Sequence, residues 1–331
     1  SKSARTAKRV FRVPTEEELA LESQKSSESI KSELSESITK AEKIRKESMD
    51  LNKSLLQKKT MDWQDRKKIE DLLKKQRDLE KQIEELKKEN EKKNLQKNEF
   101  KKPDEEELAK QKEMEKLLEE LMNEELQKLM EMLEKLMQEQ DKNKIQDQLK
   151  DMQYNNEDLQ KQLERTLELF KQMEFDMKLD ETIEKLDKLA KEQKDLAKET
   201  AQEKGKDEKK ADELKKQQEE LNKKFDEVRK DMDELQKKND ELESKREELK
   251  DTEAQEKDIQ QEQEKASEQM EQKENKKASE SQQKAGEKME QMSEDLKQMQ
   301  QEMEQNQETE DLEALRRILD NLIQLSFDQE D

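Results

Sequence analysis

The chain contains no cysteine and no histidine. Without cysteine there is no disulfide, no thiolate nucleophile and no Cys-ligated zinc. Without histidine the usual general base and the commonest metal ligand are missing. Glycine and proline number two each in 331 residues, and aromatic residues make up 2%. The two glycines, Gly205 and Gly286, cannot build a phosphate loop, and the Asp/Asn–Gly pattern of an EF-hand is missing. Helical di-iron sites need Glu-x-x-His, which this chain cannot supply. No apolar run approaches the roughly 20 residues that cross a bilayer, and no signal-peptide pattern is present. Paired carboxylates abound, but a catalytic pair needs a desolvated pocket that nothing here predicts. The expectation is a non-enzymatic protein with no catalytic residue, no cofactor and no metal site.

What the chain does contain is charge: 49% charged residues against 27% hydrophobic, with a net charge of −21. Such a balance also suits disorder, so periodicity decides. From Ile145 to Met177 the positions Ile145, Leu149, Met152, Asn156, Leu159, Leu163, Thr166, Phe170, Met173 and Met177 alternate four-residue and three-residue steps. That spacing lays a narrow seam along one face of an α-helix, the seam a second helix covers in a coiled coil. The fold class expected is all-α, a long antiparallel helical coiled coil.

In chain order, residues 1–14 are basic (Lys2, Arg5, Lys8, Arg9, Arg12) and read as a tether or the end of a preceding domain. Thr15 with Glu18 makes a capping box that opens long helix one, 15–100. Its seam includes Leu72, Gln76, Leu79, Ile83, Leu86 and Asn90. Trp63, the single tryptophan, reads as a rim or core contact, with a partner anchor as the alternative. Pro103 marks the next break. Long helix two, 104–200, begins with the most apolar stretch, Met114 to Met137, and its register shifts after Met177, a stutter-like discontinuity. Gly205 suits a helix–helix turn. Long helix three, 207–305, carries Leu214, Gln218, Leu221, Phe225, Val228, Met232, Leu235 and Asn239, then thins between Lys250 and Lys284. A short amphipathic helix, 309–325, is expected next, leading to a truncated region.

Three long segments of similar length suit an up-down-up arrangement. Folding about Pro103 sets Ile69 to Leu79 beside Leu126 to Leu136, and Ile30 to Ala41 beside Leu163 to Met173. Charge gives a second hint. Leu51 to Lys102 has 17 basic and 11 acidic residues, net +6, whereas Asp104 to Gln140 has 5 basic and 13 acidic, net −8. These blocks attract in the folded-back arrangement and repel themselves in a parallel homo-oligomer. Gln76, Asn90, Asn156 and Asn239 fall on the seam, where a polar residue fixes register at a cost in stability. Met130, Met132 and Met137 lie off the main seam and, with Leu319, Leu322 and Ile323, are the candidate partner contacts.

The run from Asp71-Leu72-Leu73-Lys74-Lys75-Gln76 through Leu117-Leu118-Glu119-Glu120-Leu121-Met122, then Tyr154-Asn155-Asn156 and Phe170-Lys171-Gln172-Met173-Glu174, resembles the long coiled-coil region of large membrane-anchored envelope proteins of unknown function from Bacteroidetes. The resemblance implies a bacterial envelope location, with membrane attachment only through segments outside this chain. It transfers no catalytic residue. Two roles follow as expectations: a scaffolding rod that docks protein partners, with possible self-association, or a mechanical or regulatory spacer, dependent on length or register, in a parallel homo-oligomer. Nucleic acid is not an expected partner of so acidic a chain.

Overall fold

The computed structural model describes residues 15–330 apart from 101, 104, 122–123, 140, 204–207, 246–248 and 250–251. Side chains are described to 305, except those of 16–17, 20, 100, 124–125 and 304. The basic stretch 1–14 therefore lies outside the described residues, as does Gly205. Among the described residues the chain is eight helices and no strand: α1 (Glu16–Leu56), α2 (Trp63–Phe100), α3 (Glu105–Glu120), α4 (Glu124–Glu139), α5 (Lys142–Gln202), α6 (Glu208–Glu241), α7 (Thr252–Glu271) and α8 (Asn275–Glu330). They divide into two compact units, 1–173 and 174–331, and α5 supplies core residues to each.

In the first unit α1 and α2 form a hairpin, with Ser26 and Ser29 donating to Glu89 and Lys75 meeting Glu47 at 2.5 Å. The third arm is α3 followed by α4, laid antiparallel to α2. Lys87–Glu119 (3.0 Å) and Arg77–Glu134 join them. The first part of α5 returns beside α1, where Ser48 Oγ donates to the Leu149 carbonyl at 2.7 Å and Arg45 meets Glu157 at 3.5 Å. Arg165–Glu113 (3.8 Å) closes the ring against α3. The result is an up-down-up-down four-helix arrangement. Ile30, Leu34, Leu72, Leu79, Leu118, Leu133, Ile145 and Leu163, drawn from every arm, fill its core.

The second unit repeats that order with the rest of α5, α6, α7 and α8. Lys178–Asp231 (2.6 Å) joins α5 to α6, and Asn222–Ser267 (3.1 Å) joins α6 to α7. Ser281–Gln269 (3.0 Å) joins α7 to α8, and Ser293 Oγ to Asp187 Oδ1 (2.6 Å) joins α8 back to α5. Gly286 lies where α8 packs tightly on α5. A Cβ there would sit 2.6 Å from Lys194 Cγ and 3.1 Å from the Ala190 carbonyl oxygen, so a position that costs helix propensity is retained for packing.

All-helical, antiparallel packing is as expected, and the Thr15–Glu18 capping box is formed. The segmentation differs. Long helix one, 15–100, reverses at 57–62. Long helix two, 104–200, is interrupted after Glu120 and reverses between Glu139 and Lys142. Long helix three, 207–305, reverses twice, after Leu242 and at 272–274, and no helix begins at Thr309, because α8 runs through it. The reversals before α2, α5 and α8 are made by polar side chains and one strained residue, with neither glycine nor proline. Asp62 and Asp65 cap α2 reciprocally: Asp62 Oδ1 accepts from Asp65 N at 2.9 Å and Asp65 Oδ2 from Asp62 N at 3.1 Å. Asp141 Oδ1 accepts from Lys144 N at 3.2 Å and starts α5. Lys273 adopts φ 60° in a Schellman stop, with Glu274 N bonded to the Gln269 carbonyl at 2.8 Å and Lys273 N to Met270 at 3.1 Å.

Because both folds happen, the long-range pairing expected about Pro103 survives. Arg77–Glu134 joins α2 to α4 and Arg45–Glu157 joins α1 to α5 at nearly the expected levels. The discontinuity expected after Met177 falls earlier, between Met173 and Phe175, and Met177 is only half-buried. Phe170 and Met173 belong to the first core, and Phe175 and Leu179 to the second.

Candidate functional site

The chemistry of these bundles lies in buried amides. A heptad position facing three other helices is closed to water, so each amide there must find partners inside or lose hydrogen bonds worth about 1–3 kcal/mol. The second unit solves this with one layer. Gln193 of α5, Gln218 of α6, Gln263 of α7 and Gln282 of α8 are all at most 2% exposed. Gln193 Nε2 donates to Gln218 Oε1 at 2.8 Å, and Gln218 Nε2 returns a bond to Gln193 Oε1 at 3.1 Å. Gln263 Nε2 donates to Gln193 Oε1 at 3.2 Å, and Gln282 Nε2 to Gln218 Oε1 at 2.9 Å. Gln218 Nε2 also reaches Asn222 Oδ1 at 2.7 Å, and Asn222 passes the chain to Ser267. Only Gln282 Oε1 within this quartet lacks a partner. Four helices thus share one register mark.

Gln193 and Gln218 are evident as seam positions in the sequence, but Gln263 and Gln282 are not singled out by it. The signal exists: Ile259, Gln263, Ala266 and Met270 keep the four-three-four steps, as do Ala278, Gln282, Ala285 and Met289. Small alanines in place of leucine make the seam look thin there.

Of the seam amides expected to set register, Gln76, Asn90 and Asn156 are buried in the first unit and Asn239 in the second. In the first unit these amides do not form a comparable network. Both side-chain atoms of Gln76 lack a partner, as do Asn90 Nδ2 and Asn156 Oδ1, while Asn156 Nδ2 donates to the Met152 carbonyl of its own helix at 2.9 Å. Of the candidate partner contacts, Met130 is buried in the core and Met137 half-buried against it, whereas Met132 is 52% exposed. The side chains of Leu319, Leu322 and Ile323 lie outside the described residues.

Charged groups tie the helices together around these layers. Asp231, nearly buried, receives Lys178 at 2.6 Å and Lys185 at 2.5 Å, and Lys178 also meets Glu234 at 2.6 Å. Burial opposes the Lys178 ammonium, but the two carboxylates outweigh it and its pKa is raised. Burial pushes the Glu256 carboxyl up, with Arg229 at 3.4 Å partly offsetting it. These are structural ion pairs, each with a partner across a helix interface. An open groove of about 500 Å³ between α5 and α8 is lined by Ala197, Ala201 and Ser279 and rimmed by charged side chains. Among the described residues no cluster of three or more acidic side chains is placed to hold a metal ion, and no helix is long and apolar enough to cross a membrane. No protein-family model matches the chain, and comparisons with curated proteins and with solved structures return no match.

Proposed function

We propose that the chain is a non-enzymatic scaffolding segment of a membrane-anchored bacterial envelope protein, docking protein partners on its outer faces. The observation that carries this reading is the destination of the seam. Most described apolar seam positions lie inside the two four-helix units, and a layer of hydrogen-bonded glutamines ties together the four helices of the second. Such an interior favours one persistent shape over a site that opens and closes. The surfaces left are charged faces with a few large apolar residues, Met132 among them. Envelope location and membrane attachment rest on the sequence resemblance.

The test is a photo-cross-linking residue at position 132, introduced into the protein in a Bacteroidetes host. Recovery of discrete adducts with envelope proteins supports the reading. A chain that cross-links only to soluble cytoplasmic proteins, or to nothing while a buried control site does the same, argues against it. A second reading, a register-dependent spacer, is favoured by the amides of the first unit that find no partner. Replacing Asn90 and Asn156 with Leu then locks one register and abolishes function in the same host, and an unchanged phenotype removes that reading.

A further inference from the structure

The reversal between α1 and α2 differs in chemistry from the other described helix reversals of this acidic chain. Leu56 and Trp63, on either side of it, are 65% and 71% exposed. From Lys53 to Lys68 six cations face two carboxylates, net +4, in a chain of net −21. Both carboxylates are occupied locally: Asp62 and Asp65 cap α2 and hold Lys58 at 2.7 Å. Lys59, Lys67 and Lys68 are exposed, and Lys67 Nζ stands 5.4 Å from the Trp63 ring centre. The reversal is also held in place. Lys142, the first residue of α5, donates to the Lys58 carbonyl, and the charges around the junction of α4 and α5, Glu139, Asp141, Lys142 and Lys144, balance.

We propose that this end of the first unit docks on an anionic lipid bilayer. Exposed Trp and Leu at a fixed turn suit the headgroup–acyl boundary, and the exposed lysines suit anionic headgroups. An exposed aliphatic side chain at the same reversal has no counterpart in recognition of a soluble polyanion. Apart from the basic stretch 1–14, the remainder of the chain is acidic and is repelled by the same surface, which favours the tip over the other faces of the bundle. This goes beyond the scaffolding reading, in which the membrane is reached only through other segments, and it stands or falls apart from partner docking.

Trp63 is the only tryptophan, so the whole chain reports on the site without a label. Vesicles of phosphatidylcholine mixed with phosphatidylglycerol are expected to shift its emission to the blue, and brominated acyl chains to quench it. Phosphatidylcholine vesicles alone are expected to do neither. Lys59→Ala with Lys68→Ala is expected to weaken partitioning about 25-fold, at about fivefold per lysine, with helix content unchanged. Leu56→Ser tests the apolar half independently of charge. No shift with the mixed vesicles overturns the proposal. So does an equal shift with phosphatidylcholine alone, or the same shift produced by polyglutamate, which assigns the tip to an acidic protein.

Discussion

At the residue scale, two glutamines with the same burial are set apart by their partners. Gln76 is buried with neither amide atom bonded, whereas Gln193 both donates to and accepts from its quartet. Removing an unsatisfied buried amide recovers its desolvation cost; removing a satisfied one orphans its neighbours. Gln76→Met is therefore expected to stabilise the protein by about 1–2 kcal/mol. Gln193→Leu is expected to destabilise it by about 2–3 kcal/mol, because Gln263 Nε2 loses its acceptor and Gln218 one of its two. Urea unfolding followed by circular dichroism measures both, and equal signs for the two substitutions would refute the distinction. Lys273 offers a third case. A lysine at φ 60° carries a steric cost that glycine does not, so Lys273→Gly is expected to gain about 0.5–1 kcal/mol. A loss on the same measurement would mean that the turn is not a Schellman stop.

At the scale of the element, the caps decide where helices end, and they explain what the sequence did and did not disclose. Helical class, antiparallel packing and the Thr15 box were legible because each has a dense local signature. The reversals at 57–62, 140–141 and 272–274 were not, because the heptad spacing of the seam continues on both sides and no Gly or Pro interrupts it. What stops these helices is one Asp–Asp box, one Asp cap and one strained lysine, short-range features that also occur on solvated helix faces. The glutamine quartet was half legible for a related reason: alanine seams carry little hydrophobic signal. The α2 cap has its own pH signature. A hydrogen bond from Lys58, with help from the Asp65 backbone, holds the Asp62 carboxyl at about 2. A depressed carboxylate contributes stability above its unfolded value near 3.8, and that contribution is lost as pH falls through the folded value. The melting temperature of the protein is thus expected to fall more steeply between about pH 4 and pH 2 than that of Asp62→Asn, which keeps a cap but cannot titrate. Parallel curves would show that the box does not form.

At the scale of the molecule, the question is whether helices are covered by their own chain or by a second copy. Each unit closes a ring of four arms, and the described seam positions of both units are occupied inside these cores. Charge agrees: basic α2 lies against acidic α3 and α4 through Lys87–Glu119 and Arg77–Glu134, where parallel copies would set like charges together. The chain has no cysteine, so introduced pairs report without background. Ser293 and Asp187 lie 106 residues apart in sequence, yet their side chains meet at 2.6 Å across α8 and α5. Ser29 and Glu89 meet at 3.3 Å across α1 and α2. Cysteines at either pair, treated with a short thiol-reactive linker, are expected to join within one chain. A compacted monomer band on a denaturing gel, at a yield independent of protein concentration, is the expected result. A ladder of dimers whose yield rises with concentration would mean that the arms are exchanged between copies. Both pairs are needed, because exchange of α1 alone would leave Ser293 and Asp187 joined within one chain while Ser29 and Glu89 linked two.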